Sequence, residues 1–76
     1  MEMDPEVIWK LAREKGLPVK AAYTPRQAAE LLGIGKNVLY QAVRAGRVRH
    51  LRVGRIAYVP VGELLRLLEG GLEGGV

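Results

Sequence analysis

Lys36, Asn37, Tyr40, Gln41 and Arg44 lie one, three and four residues apart, so a helix would carry all five on one arc. Two cations, two side-chain amides and a phenolic hydroxyl with no acid among them make a hydrogen-bonding surface, not a reactive one. Amides of Asn and Gln pair bidentately with adenine, Arg and Lys reach the acceptors of guanine, and cations also meet phosphates. The chemistry open to such an arc is recognition of duplex DNA. Catalysis lacks material: the sequence has no Ser and no Cys, one Thr (Thr24) and one His (His50). No nucleophile–base pair for acyl transfer can be assembled from that set. His50 has no carboxylate between Glu30 and Glu63 with which to share a metal. Gly33-Ile34-Gly35-Lys36 is not a phosphate-binding loop, because Glu30 and Asn37 stand where that loop needs Gly and Ser/Thr. No enzymatic activity, cofactor or metal is therefore expected.

The elements that must hold this arc are legible from caps and periodicity. Thr24-Pro25-Arg26-Gln27 starts a helix with a capping box, and Gly33 stops it after two turns. Ala28, Ala29, Leu31 and Leu32 form its apolar face, with Arg26 and Glu30 opposite. Gly35 opens the next helix, about 36–45, whose inner arc is Val38, Leu39, Ala42 and Val43, and Gly46 closes it. Beyond Gly46 the period becomes two. Val48–Val53 and Ile56–Val59 read as strands joined at Gly54-Arg55. In that register Val53 faces Ile56 and Leu51 faces Tyr58, both pairs expected on the core side, with His50 and Arg52 outward and Arg55 at the tip. Pro60 ends the second strand before a last helix in which Val61, Leu64, Leu65 and Leu68 recur at helical spacing. Upstream, a helix of about 4–15 begins at Asp4-Pro5 and ends before Gly16 and Pro18; its stripe of Val7, Ile8, Leu11 and Ala12 either covers the core or, with Trp9 as anchor, makes a dimer contact.

Two short helices separated by three residues, a basic hairpin and a closing helix make a winged helix-turn-helix: mainly α, three to four helices with a two-stranded wing. Residues 1–22 read as an accessory helix and linker, 23–69 as the DNA-binding domain, and 70–76 as a flexible Gly-rich tail. A helix-turn-helix sets its second helix in the major groove. Asn37 and Gln41 are then the base readers, Arg44 meets a base or a phosphate, and Lys36 and Tyr40 meet phosphates. Arg26, Arg47 and Arg49 join the contact set, and Arg52 and Arg55 on the wing reach the backbone or the minor groove. His50 reads as an incidental, half-exposed strand residue.

Tyr23-Thr24, Ala28-Ala29-Glu30-Leu31-Leu32-Gly33-Ile34, Val38-Leu39-Tyr40, Gly46, Val53-Gly54-Arg55, Pro60 and Glu63-Leu64 occur in one order. With them Tyr23–Glu69, 47 of the 76 residues, resembles the excisionase-type helix-turn-helix domains related to the MerR regulators. The resemblance implies a winged helix that binds DNA, as an excisionase in recombination or as a small transcriptional regulator, often in a phage or mobile element. It also implies an integrase or recombinase as a potential partner. Two positions depart from the family pattern: Gly35, where Ser or Thr is usual, and Gln41, where a basic residue is usual. A protein-interaction module on the same scaffold is the competing reading, supported by the extra N-terminal helix as a surface for homodimerisation or tandem self-association. The DNA-binding part of a longer phage packaging or regulatory protein is another.

Charge agrees with the helix and wing as the contact face. The net value is +4, but residues 31–62 hold Lys36, Arg44, Arg47, Arg49, Arg52 and Arg55 with no acid, a local charge of +6; the remainder carries six bases against eight acids, or −2. No apolar run approaches the roughly 20 residues of a membrane span, and Met1-Glu2-Met3-Asp4 does not open a signal peptide. A cytoplasmic, nucleoid-associated protein is expected.

Overall fold

The first local signal to become structure is the capping box at Thr24. Its Oγ1 accepts the Gln27 backbone N–H at 3.3 Å, and the Gln27 side chain returns to the Thr24 N–H at 3.4 Å. In the computed structural model, which describes residues 4–70, this box opens the second of four helices. The order is α1 (Glu6–Glu14), β1 (Ala22–Tyr23), α2 (Pro25–Leu32), α3 (Lys36–Arg44), β2 (Leu51–Val53), β3 (Ile56–Pro60) and α4 (Val61–Gly70). The architecture is the expected winged helix-turn-helix, mainly helical with a small antiparallel sheet. The sheet order is β1-β3-β2, with Tyr23 opposite Val59 and Leu51, Arg52 and Val53 opposite Tyr58, Ala57 and Ile56.

Helix α2 ends on Gly33 at φ +74°, a left-handed conformation that costs glycine least, and the Ile34 N–H returns to the Ala29 carbonyl at 3.0 Å. That sharp stop lets α3 begin three residues later and pack across α2. Ala28 and Ala29 are buried at the crossing, and Leu39 of α3 is fully enclosed. The Gly54-Arg55 turn has a positive φ (+64°) only at the glycine, as a hairpin turn with Gly in its first central place requires.

Helix α1 begins at Glu6, later than expected, and its N-cap is Pro5, not Asp4, although the Asp4 carboxylate accepts the Glu6 N–H at 3.0 Å from one residue further out. Ile8 and Ala12 are fully buried and Leu11 packs against the core, so the apolar stripe closes the domain against α2 and α4. Only Val7 of the stripe faces solvent. Trp9 donates its indole N–H to the Lys20 carbonyl at 2.8 Å, tying the 15–21 connection to α1. Tyr23, buried below it, donates to the Pro18 carbonyl at 2.7 Å and accepts the Lys20 N–H at 3.1 Å.

Several expectations are corrected. Strand β1 was not expected: it is two residues long and exists by pairing with β3. Strand β2 starts at Leu51, and Val48 is a core residue ahead of it. The hairpin register is as expected but its faces are reversed, with Leu51, Val53 and Ile56 exposed at 62%, 57% and 47%. The reason is parity. Val59 and Tyr23 are paired and both fully buried, so Ala57, two residues from Val59, turns the same way. Arg52, opposite Ala57, follows it towards the helices, while Leu51 and Val53 turn out and Ile56, at the tip, stays half exposed on the rim of the groove. Val38, on the margin of the inner arc of α3, is half exposed. In α4 Leu67 is buried and Leu68 nearly half exposed, and the helix runs through Glu69 to Gly70, into the stretch read as tail. Residues 1–3 and 71–76, with the rest of that tail, lie outside the described residues.

Candidate nucleic-acid interface

Helix α3 buries Leu39, Ala42 and Val43 and leaves Lys36, Asn37, Tyr40, Gln41 and Arg44 in solvent. The outer arc is thus the one the spacing describes. The first turn is not capped by a side chain, because Gly35 at the N-cap has no acceptor to offer. Gly35 has an extended backbone (φ −68°, ψ 141°), and a Cβ there would meet only Val38 Cγ2, at 3.8 Å. Gly35→Ser is therefore expected to raise stability by about 0.5–1 kcal/mol, by capping the helix and restricting the unfolded chain, as read from the midpoint of urea unfolding.

Between the start of α2, the outer face of α3 and the wing runs an open groove of about 480 Å³. Arg26 enters it from α2, Tyr40 and Arg44 from α3, and Arg52 and Arg55 from the wing. No acidic residue lines it, and none of its four arginines has an ion-pair partner among the described residues. Four uncompensated guanidinium groups repel one another, and a polyanion laid in the groove relieves that repulsion. The inward turn of Ala57 brings Arg52 here; the expected, opposite parity would have pointed it away from α3.

The ten sequence-named residues thus fall into three sets. Arg26, Tyr40, Arg44, Arg52 and Arg55 line the groove. Lys36, Asn37 and Gln41 stand exposed on α3 outside its lining. Arg47 and Arg49 are exposed but border a different hollow, of about 570 Å³, between the 46–50 loop and α4. There they meet His50, Glu63 and Arg66. His50 is half-buried, its Nδ1 3.0 Å from the Val48 carbonyl, which can only accept and so requires the proton on Nδ1.

Arg66 and Glu63 carried no role in the sequence reading. Their i,i+3 spacing on α4 was the available signal. The Arg66 guanidinium bonded to the Glu63 carboxylate holds its pKa below the ordinary 4.5; the Arg49 N–H lowers it further, and burial opposes both. A carboxyl whose folded pKa is depressed stabilises the fold fully above its unfolded value, and that contribution is lost as pH falls through the folded one. The urea midpoint is therefore expected to fall on acidification below about pH 4.5, and Glu63→Gln to flatten part of that limb.

Among the described residues no helix is long and apolar enough to cross a membrane, and no group of His, Asp or Glu is placed to hold a metal ion. Residues 22–71 match the family model of a helix-turn-helix domain. No curated protein and no solved structure matches the chain.

Proposed function

The chain belongs to this DNA-binding helix-turn-helix family, and on that premise we propose that it is a sequence-specific binder of duplex DNA, an excisionase-like or MerR-like regulator. The observation that carries the reading is the acid-free groove in which Arg26, Tyr40, Arg44, Arg52 and Arg55 converge. Helix α3 enters the major groove N-terminus first, and Asn37 and Gln41 on its outer arc read base edges. Lys36, Tyr40 and Arg26 hold phosphates and set the register without specifying sequence. Arg44 serves a base or the nearest phosphate, and Arg52 and Arg55 carry the wing onto the backbone or into the adjacent minor groove. Arg47 and Arg49, outside the groove, extend the contact to flanking phosphates. No catalytic step belongs to this activity.

Selection from a random duplex library, followed by footprinting, tests it. One enriched sequence with major-groove protection supports sequence-specific binding. A tandem direct repeat favours an excisionase acting beside an integrase or recombinase, and a palindrome favours a two-fold regulator. Failure to enrich any sequence would remove the specific reading. The competing reading, a protein-interaction module, draws its support from the exposed apolar side chains of the wing, Leu51 and Val53. It gains ground if duplex DNA is not bound at all.

A further inference from the structure

Glu63 is the one buried charged side chain among the described residues, 7% exposed, in the first turn of α4. Its Oε2 accepts the backbone N–H of Arg49 at 2.9 Å, and its Oε1 accepts from Arg66 Nε at 3.0 Å. A terminal nitrogen of Arg66 also contacts Glu63, and it donates to the Arg47 carbonyl at 3.1 Å. The pair therefore grips the chain at two backbone positions, on either side of the buried Val48.

Those positions lie in the 45–50 loop, which joins the end of α3 to the start of β2. Strand β3 is secured by β1 on one side and by its run into α4, whereas β2 pairs with β3 alone. The pose of β2 relative to α3 therefore depends on this loop. Burying one member of an ion pair, as here with Glu63, is a poor device for stability alone, since apolar residues of similar volume commonly do as well. Apolar residues, however, cannot hold an N–H and a carbonyl in place.

We infer that Glu63 and Arg66 are positioning residues for DNA binding: they fix the 45–50 loop so that Arg52 and Arg55 stand across the groove from Arg44 and Tyr40. The inference rests on the DNA-binding reading above. Neither residue needs to touch DNA for the clamp to act.

Glu63→Gln gives the test its sign. The substitution removes a negative charge from a basic domain, which by charge alone tightens binding to a polyanion. It also sets an amide NH2 among donors that need an acceptor, which loosens the clamp. Affinity of the full chain for a mixed-sequence duplex is measured by anisotropy at a temperature where circular dichroism reports each variant folded. Binding about five- to tenfold weaker than wild type is expected, the loss that follows when one or two wing phosphate contacts go. Arg66→Met, at a side chain 41% exposed, keeps the apolar stem and provides a second variant with the same expected direction and faster amide exchange at Arg49. In an Arg52→Ala/Arg55→Ala background the Glu63→Gln loss should nearly vanish, because the wing contacts it acts through are already gone. A merely structural pair would lower the melting temperature and leave the affinity of folded Glu63→Gln unchanged or, through the lost negative charge, higher. Equal or tighter binding by folded Glu63→Gln, or an undiminished loss in the Arg52→Ala/Arg55→Ala background, overturns the clamp while DNA binding stands. Failure of wild type to bind duplex overturns both.

Discussion

Replacing Asn37 and Gln41 together with alanine is expected to weaken binding to a selected DNA site at least about thirtyfold, while binding to unselected duplex changes about twofold or less. Each bidentate amide–adenine pair discriminates by about 1–3 kcal/mol, so two lost pairs reach that figure at the low end of the range. Both side chains are exposed on α3, and neither hydrogen-bonds to another part of the chain among the described residues. The fold therefore has no stake in them. Both are uncharged, so counterion release, which drives unselected binding, is untouched. Anisotropy titrations with the selected duplex and a scrambled one of equal length give the comparison. Equal losses on both duplexes would move Asn37 and Gln41 from the bases to the backbone.

Leu39→Ala is expected to bring the domain close to unfolding at physiological temperature. Leu39 is fully buried on α3, in the core shared with α2 and α4. Removing such a side chain costs about 2–5 kcal/mol. A domain of 76 residues has a total stability of roughly 4–11 kcal/mol. The melting temperature should fall by roughly 10–40 °C, readable by circular dichroism or calorimetry. DNA affinity extrapolated to the folded fraction should change little, because Leu39 is turned away from the outer arc. A shift of only a degree or two would mean that α3 is not anchored by this residue.

The helix-turn-helix unit was almost wholly legible because its signals are local. Thr24, Pro25, Gln27 and Gly33 act within one or two helical turns, and each does in the structure what its position indicates. The outer arc of α3 follows from a period of 3.6 alone. What depended on distant pairing was not legible. Strand β1 has two residues and no pattern of its own; Tyr23 becomes a strand residue because Val59 lies opposite it. The faces of the wing were misread because the larger apolar side chains, Leu51, Val53, Ile56 and Tyr58, outweighed the small Ala57. The close approach of the sheet to the helices selects Ala57 and Val59, a choice that side-chain size along one strand does not reveal. Glu63 reads in sequence as an ordinary first-turn acid at a helix N-terminus. Its burial is set by the 45–50 loop folding over it. The groove mixes both cases: its residue types were visible, but the grouping of Arg26 with Arg52 and Arg55, and the separation of Arg47 and Arg49, came from the fold.

The acid-free groove as a seat for the phosphate backbone is the central claim, and the salt dependence of duplex affinity tests it most directly. With about four to six phosphates neutralised, a plot of log affinity against log salt should have a slope of about −4 to −5. Arg44→Ala, Arg52→Ala and Arg55→Ala should each reduce that slope by about one. A nearly flat plot, or a steep one that none of the three substitutions alters, would contradict DNA binding through this face.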